Sequence, residues 1–279
     1  MEIVRRWRCF DGDQLVVRHA STSTGTPMEA SVYLPPQARR GPVPVVWFLP
    51  GLTCTWANPT EKAGFQSHAA ELGVAVVCTD TSPRGTHLPG EHDSWELGAG
   101  AGYYVDATEA PWSAHYRMAS WVTDELPALL GRHLPIDLSR QGITGHSMGG
   151  HGALVLALRA PDRYRSLSAF APIAAPSRSP WGVRAFTALL GPDAEAWRAW
   201  DTTELIGASA WRRPVLVDQG GDDTFLAEQL RPDALEAAFE AAGAPLTLRR
   251  REGYDHSYYF VATFIGEHLR WHAEALRAT

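Results

Sequence analysis

The feature that most constrains the fold of this chain is the glycine-rich stretch TGHSMGGHGAL at positions 144–154. It fits the pattern G-x-S-x-G with Ser147 at its centre, which predicts a serine at the apex of a sharp strand-to-helix turn. Residues 140–144 offer a short strand before it, and the apolar run 152–159, which Pro161 stops, offers the helix after it. Because the pattern needs both flanks, this stretch predicts a nucleophile elbow.

Length and charge limit the classes of protein to consider. The chain has 279 residues and its strand and helix signals alternate, so we predict a single α/β domain over 1–279. The formal net charge is only −6, whereas nucleic-acid-binding proteins usually carry a clustered basic face. We therefore expect no nucleic-acid partner.

Targeting signals and cysteine usage favour a cytoplasmic protein. No apolar run reaches the roughly 18 residues of a membrane-spanning helix, and the opening MEIVRRWR lacks the apolar core of a signal peptide. Three cysteines, Cys9, Cys54 and Cys78, suit free thiols in a reducing compartment better than a disulfide framework.

Short apolar runs predict the strands of the sheet. Segments 14–19 and 28–34 are typical of antiparallel strands, whereas the nearly continuous apolar runs 43–49 and 74–79 indicate parallel strands buried on both faces. Further strands are predicted at 166–173, within 213–223 and at 245–251, helices at 64–72, 116–133 and 258–276, and a small helical insertion around 177–209. The fold class is therefore α/β, an α/β-hydrolase fold with a central, mostly parallel sheet flanked by helices and antiparallel strands at its N-terminal end.

A long glycine-rich excursion follows the strand at 74–79. It begins at Asp80 and runs through the sequence GAGAGYY at 98–104. Loops of this length inside a compact domain are usually functional. We expect the excursion to form a wall of the substrate pocket.

Two backbone N–H groups are candidates for an oxyanion hole. In an α/β-hydrolase the loop after the strand corresponding to 43–49 supplies one, and the residue after the nucleophile supplies the other. These positions are Leu52 and Met148. Both are expected to act through the main chain only.

The acid and the base of a catalytic triad should follow later strands. Asp218, Asp222 and Asp223 all compete for the acid on sequence alone, and Asp218, inside the strand, fits a structural role better. His256 lies in the loop between the strand at 245–251 and the last helix. Serine, aspartate and histidine therefore occur in the chain order of the α/β-hydrolases.

The other histidines have simpler interpretations. His146 and His151 flank the nucleophile, and we expect them to pack or hydrogen-bond where the helix begins. His268 and His272 are four residues apart but lack the pattern H-E-x-x-H, so a solvated helix face is predicted. We predict no metal site.

Long stretches of the chain resemble the S-formylglutathione hydrolase family, also called esterase D, from about Tyr33 to Thr263. The matching stretches are LTCT at 52–55, DTSPRG at 80–85, 98–108 with AGYYVDAT, GHSMGGHGAL at 145–154, AFAPI at 169–173, PWG at 180–182, DQG at 218–220 and EGYDHSYYF at 252–260. The resemblance implies a cytosolic thioesterase that cleaves S-formylglutathione to glutathione and formate, with no cofactor and with esterase activity on small acyl esters. It also implies that Ser147 is the nucleophile, His256 the base and Asp223 the acid.

Substrate preference depends on residues around this site. After Thr55 the chain has Trp56-Ala57-Asn58-Pro59 where the family usually has Glu-Gln-Asn-Phe, and Gly221 stands where relatives often have lysine. Both departures lie near the expected entrance to the site, so we expect them to affect acyl and thiol preference more than the chemistry.

Candidates for the substrate pocket are Trp181 and Cys54. A bulky wall near Ser147 would favour a formyl group over longer acyl chains, and Trp181 is our candidate for it. The Cys54 thiol, next to an oxyanion donor, is expected to make activity sensitive to oxidation or alkylation. Three cations, Arg84, Lys62 and Arg178, are candidate contacts for the carboxylates of glutathione.

Other functions remain open at this level. A general short-chain carboxylesterase would use the same triad. A non-catalytic binding protein of this fold would normally have lost the triad. Related sugar acyltransferases are exported, whereas no signal peptide is expected here. The resemblance also implies a homodimer. Sequence alone leaves the identity of the thiol carrier open.

Overall fold

The computed structural model describes residues 1–277. Its centre is a nine-stranded sheet in the order β1-β2-β3-β5-β4-β6-β7-β8-β9. The strands are Glu2–Cys9 (β1), Gly12–Ala20 (β2), Pro27–Leu34 (β3), Val43–Leu49 (β4), Ala75–Thr79 (β5), Ile136–Gly145 (β6), Ser166–Phe170 (β7), Val215–Gly220 (β8) and Leu246–Arg251 (β9). The strand pairs β1–β2, β2–β3 and β3–β5 are antiparallel, and the pairs from β5–β4 to β8–β9 are parallel. This topology confirms the predicted α/β-hydrolase fold.

Helices cover the sheet. They are Ala57–Lys62 (α1), Gln66–Leu72 (α2), Met118–Ser120 (α3), Leu126–His133 (α4), Met148–Arg159 (α5), Pro180–Leu190 (α6), Ala194–Trp197 (α7), Thr202–Leu205 (α8), Pro232–Ala241 (α9) and Tyr258–Arg277 (α10). Helix α5 packs on β6 and β7, and α10 packs on β4, β6 and β7. Within residues 1–277, no helix combines the length and the apolar character needed to cross a membrane.

Burial explains which strands the sequence predicted well. Every residue of β4, β5 and β7 is buried, and strands covered on both faces have continuous apolar sequences. By contrast, β1 lies at the edge of the sheet, is mostly exposed and carries polar residues. The apolar pattern therefore missed β1 entirely.

Several predicted boundaries were wrong. The strand predicted at 166–173 ends at Phe170. The helix predicted at 116–133 begins at Met118 and contains a π-helical turn over Trp121–Glu125, and the helix predicted at 64–72 begins at Gln66. Segment 177–209 forms α6, α7 and α8 together with short 3₁₀ turns, and its interpretation as an insertion stays a prediction.

The prediction that His268 and His272 lie on a solvated helix face is wrong. Both side chains are fully buried where α10 packs on β7. The His272 ring nitrogens lie 2.7 and 2.8 Å from the hydroxyls of Ser166 and Ser168, and His268 Nδ1 lies 2.9 Å from Ser168. Hydroxyls from a strand distant in sequence make this burial tolerable, and spacing along one helix cannot reveal them. Burial lowers the pKa of His272 to about 3, so the ring is neutral.

Candidate active site

The elbow holds Ser147 in a strained backbone conformation between β6 and α5. Its φ of 59° and ψ of −120° are rarely adopted by residues with a side chain. The Ser147 N–H donates to the Phe170 carbonyl at 2.9 Å, and the Ser147 carbonyl accepts from the His151 N–H at 3.0 Å. Backbone bonds on both sides therefore keep the serine at the apex.

A glycine is required two residues after the serine. A Cβ on Gly149 would lie 1.9 Å from the Leu49 carbonyl oxygen and 2.5 Å from that of Pro50. These are backbone atoms of β4 and its following loop, and they cannot move aside. The close approach of α5 to β4 explains why the pattern has glycine here.

The structure brings His256 and Asp223 together from different loops. The loop after β9 carries His256, and the turn after β8 carries Asp223. The His256 Nδ1 lies 2.5 Å from Asp223 Oδ2, while Asp223 also accepts from the Phe225 N–H at 2.9 Å and from Gln219 Nε2 at 3.3 Å. Several donors thus keep the carboxylate oriented toward the imidazole.

The other two aspartates have different surroundings. Asp222 is exposed. Asp218 is buried and pairs with Arg249 at 2.5 Å and Arg251 at 3.1 Å. Burial opposes ionisation of Asp218, but hydrogen bonds from His268 and Arg249 outweigh it and lower the pKa to about 2. Of the three candidate acids, Asp223 is the one that contacts His256.

Two aromatic rings pack around the His256 imidazole. The His146 ring centroid lies 4.6 Å away and that of Phe225 lies 5.1 Å away. Burial, followed by the nearby His256, lowers the pKa of His146 well below its usual range. A neutral His146 adds no competing positive charge beside His256.

The two predicted oxyanion donors lie beside the serine. Leu52 lines the same cleft as Ser147, and Met148 is the first residue of α5. Within residues 1–277, neither backbone N–H has a hydrogen-bond acceptor. Both groups are therefore available to a developing oxyanion.

A cleft of about 280 Å³ surrounds Ser147 and His256. Trp181, Phe225 and Trp95 form an aromatic wall, with ring centroids 4.8 Å apart for Trp181–Phe225 and 5.0 Å for Trp95–Trp181. The other lining residues are Gly51, Leu52, Thr53, Cys54, Asn58, His146, Ser257 and Tyr258. The sequence analysis did not predict Phe225 or Trp95 as residues of the cleft. The only indications in the sequence were that Phe225 follows the aspartate pair and that Trp95 lies in the glycine-rich excursion.

The glycine-rich excursion packs against the loop that follows β4. The Thr53 N–H donates to the Gly100 carbonyl at 2.9 Å, and a Cβ on Gly100 would lie 2.9 Å from the Thr53 Cα. Gly100 has a φ of +82°, in the region that favours glycine. The excursion thus packs directly against the loop that carries Leu52, and Trp95 within it lines the cleft.

The other residues predicted to contact the substrate differ in their positions relative to the cleft. Cys54 lines the cleft, and burial raises the pKa of its thiol. Arg84 binds Asp80 Oδ1 at 2.7 Å and the Cys54 carbonyl at 2.9 Å, so it braces the loop. Arg178 lies outside the cleft, 2.7 Å from the Thr203 hydroxyl. Lys62 lines a neighbouring cavity.

Two of the sequence departures, Trp56 and Gly221, are not among the residues that line the cleft. The Trp56 indole donates to Glu29 Oε2 at 3.1 Å. Gly221 is exposed, and its N–H donates to the Arg251 carbonyl at 2.8 Å. Asn58, which the family pattern keeps, does line the cleft.

Comparison with known proteins shows which family the chain belongs to. The family model described as "Putative esterase" matches residues 21–271. The chain is 54% identical to an S-formylglutathione hydrolase of Paracoccus denitrificans over 99% of this chain and 98% of that protein, and 52% identical to one of Mus musculus over 97% of each. An S-formylglutathione hydrolase structure from Agrobacterium tumefaciens superposes with a TM-score of 0.97 at 51% identity, covering 99% of this chain and 100% of the other. The chain therefore belongs to the S-formylglutathione hydrolase family of serine esterases.

Proposed function

We propose that the protein is a serine thioesterase that hydrolyses S-formylglutathione to glutathione and formate. Ser147 is the nucleophile, His256 the general base and Asp223 the acid that orients it. The main support is the His256–Asp223 contact of 2.5 Å together with Ser147 in the same cleft. Relatives whose names state this activity are about half identical to the chain over nearly its full length.

Acylation begins when His256 Nε2 takes the Ser147 hydroxyl proton as Oγ attacks the formyl carbon. The resulting oxyanion is held by the N–H groups of Leu52 and Met148, and the Asp223 carboxylate stabilises the imidazolium. When the C–S bond breaks, His256 returns the proton to the departing sulfur. Glutathione leaves, and a formyl ester remains on Ser147.

Deacylation repeats these steps with water. His256 removes a proton from a water molecule, which attacks the formyl ester and forms a second oxyanion. Collapse breaks the ester bond, His256 protonates Ser147 Oγ, and formate is released. Every proton moves between substrate, water and protein side chains, so we propose that no cofactor takes part, and activity should survive dialysis against EDTA.

The aromatic wall is proposed to select a short acyl group. Trp181 is only 8% exposed, and its ring packs against Phe225, which in turn packs against His256. A formyl group adds no carbon beyond the carbonyl and needs little space there. Each additional methylene would meet this wall.

The test compares kcat/KM for S-formylglutathione, S-acetylglutathione and p-nitrophenyl acetate, using wild type and Ser147→Ala. We expect a large preference for the formyl thioester, lost together with all ester turnover in the variant. Good ester turnover with poor thioester turnover would instead assign a general short-chain carboxylesterase or another thiol carrier.

We also propose a cytoplasmic homodimer. Free Cys9, Cys54 and Cys78 suit a reducing compartment. Although the edge strand β1 is mostly polar, it carries Trp7, 47% exposed, and Phe10 follows it at 59%. Exposed aromatic side chains at an unpaired sheet edge are a surface that proteins usually cover. Light scattering of wild type and a Trp7→Lys variant would test the assembly, and a monomeric wild type would contradict it.

A further inference from the structure

A second cavity adjoins the cleft that contains Ser147. It has a volume of about 410 Å³ and is lined by Lys62, Ser257, Tyr258 and Tyr259. Ser257 and Tyr258 also line the cleft, so the two spaces share a wall directly after His256. We call this second space the carrier pocket.

The cleft alone is small for the proposed substrate. Its volume of about 280 Å³ is below the roughly 300–1,000 Å³ of ordinary small-molecule sites. The formyl group provides almost no surface for binding, so binding energy has to come from the thiol carrier. A tripeptide thioester with its sulfur near Ser147 must therefore extend beyond the cleft.

Lys62 is a cation without a carboxylate partner. It is the last residue of α1 and is exposed, and within residues 1–277 no Asp or Glu forms an ion pair with it. Its charge nevertheless reaches the cleft, because it opposes the effect of burial on the pKa of the Cys54 thiol. Asp255, two residues before Ser257 in the sequence, accepts from the N–H and hydroxyl of Ser257 at 2.9 and 2.6 Å.

The other two candidate cations are already engaged. Arg84 is held by Asp80 and by the Cys54 carbonyl. Arg178 contacts Thr203 and lies 3.9 Å from Glu204, in a separate cavity that contains none of the triad. Of the three, Lys62 alone combines a position beside the site with a free charge.

We propose that the carrier pocket receives the anionic end of the thiol carrier and that the Lys62 ammonium pairs with one of its carboxylates. This inference rests on the proposed function and adds the residue that distinguishes a carboxylate-bearing carrier from an uncharged one. Lys62 binds the carrier and takes no part in proton transfer. Its removal should therefore raise KM for such thioesters and leave kcat nearly constant.

The experiment compares S-formylglutathione with S-formyl-N-acetylcysteamine, whose carrier has no carboxylate. For wild type, Lys62→Met and Lys62→Arg, we would measure kcat and KM with both thioesters. In Lys62→Met the preference for S-formylglutathione, as a ratio of kcat/KM values, should fall about fivefold, the size expected for a largely exposed ion pair. The fall should lie in KM, and Lys62→Arg should restore most of it.

Arg178→Met is the matched control, since it also removes an exposed cation and should leave the ratio within twofold. A kcat/KM ratio in Lys62→Met within twofold of wild type, or an equal fall of the ratio in Arg178→Met, would overturn the inference about Lys62. The proposed function would still stand if the wild type prefers S-formylglutathione. Poor wild-type turnover of S-formylglutathione would overturn both. Because Lys62 is exposed, its replacement should not disturb folding, which circular dichroism would check.

Discussion

Replacing Asp223 by Asn should nearly abolish turnover while leaving the fold in place. Asp223 accepts from three donors: His256 Nδ1 at 2.5 Å and Gln219 Nε2 at 3.3 Å on one oxygen, and the Phe225 N–H at 2.9 Å on the other. An asparagine has the same shape but only one acceptor atom. It therefore cannot satisfy both sides of the site.

The Phe225 N–H decides which side keeps the acceptor. It belongs to the backbone and cannot turn away, and opposing it with the amide NH₂ would leave buried donors unpaired at about 1–3 kcal/mol. When the amide oxygen of the substituted side chain stays on the Phe225 N–H, the NH₂ group faces His256, whose Nδ1 must then accept. The proton moves to Nε2, the atom that takes the Ser147 proton in the proposed mechanism.

The wrong tautomer and the loss of a charge beside the imidazolium together predict a fall in kcat of about 10⁴. At about 1.36 kcal/mol for each factor of ten, this is roughly 5.4 kcal/mol of transition-state stabilisation. KM should change less than about threefold, because Asp223 does not contact the substrate. Steady-state kinetics with S-formylglutathione and p-nitrophenyl acetate measure both values.

The neighbouring Asp222→Asn is the matched control. Its side chain is exposed, so the same change of charge one residue earlier should alter kcat less than about twofold. An Asp223→Asn enzyme within tenfold of wild type, with native circular dichroism, would refute this assignment of the acid. Equal losses in both variants would indicate an effect of net charge instead.

Further predictions concern the elbow, the buried His272 and the aromatic wall. Gly149→Ala should lower the free energy of unfolding by about 3 kcal/mol or more, because its Cβ would meet backbone carbonyls. Gly207→Ala, with nothing within 4 Å, should change it by less than about 1 kcal/mol, and equal urea midpoints would contradict this reasoning. His272 has a folded-state pKa of about 3, below the value of about 6.5 in an unfolded chain, so the unfolded state binds more protons in that window and stability falls as pH drops from about 6.5 toward 3. His272→Gln should reduce the slope of unfolding free energy against pH there by up to about 1.4 kcal/mol per pH unit, and an unchanged slope would count against a neutral buried ring. Trp181→Ala should raise the ratio of kcat/KM for p-nitrophenyl butyrate over p-nitrophenyl acetate about tenfold. A constant ratio would show that Trp181 does not limit acyl length.

Local sequence patterns predicted the structural features that depend only on residues close together in the sequence. The turn around Ser147 needs small residues at fixed offsets, and a strand such as Val43–Leu49 is apolar because both of its faces are buried. These requirements are visible in a single segment. The family resemblance then extended them to the whole fold.

Contacts between distant segments could not be predicted from patterns. Spacing alone left Asp222 and Asp223 equivalent, because consecutive residues of a turn differ only in which way each side chain points. The aromatic wall joins Trp95, Trp181 and Phe225 from three separate loops or helices. The burial of His272 depends on serines more than a hundred positions earlier in the chain.

The strained backbone of Ser147 implies an evolutionary trade-off between activity and stability. A residue with a side chain in that conformation costs about 1–3 kcal/mol, and glycine would relieve the cost. A change of Ser147 to glycine would therefore remove this strain, and only selection for the proposed activity opposes it. The serine at position 147 should therefore persist only while selection maintains the activity. In lineages that no longer need the activity, Ser147 should be among the first residues of the site to be replaced.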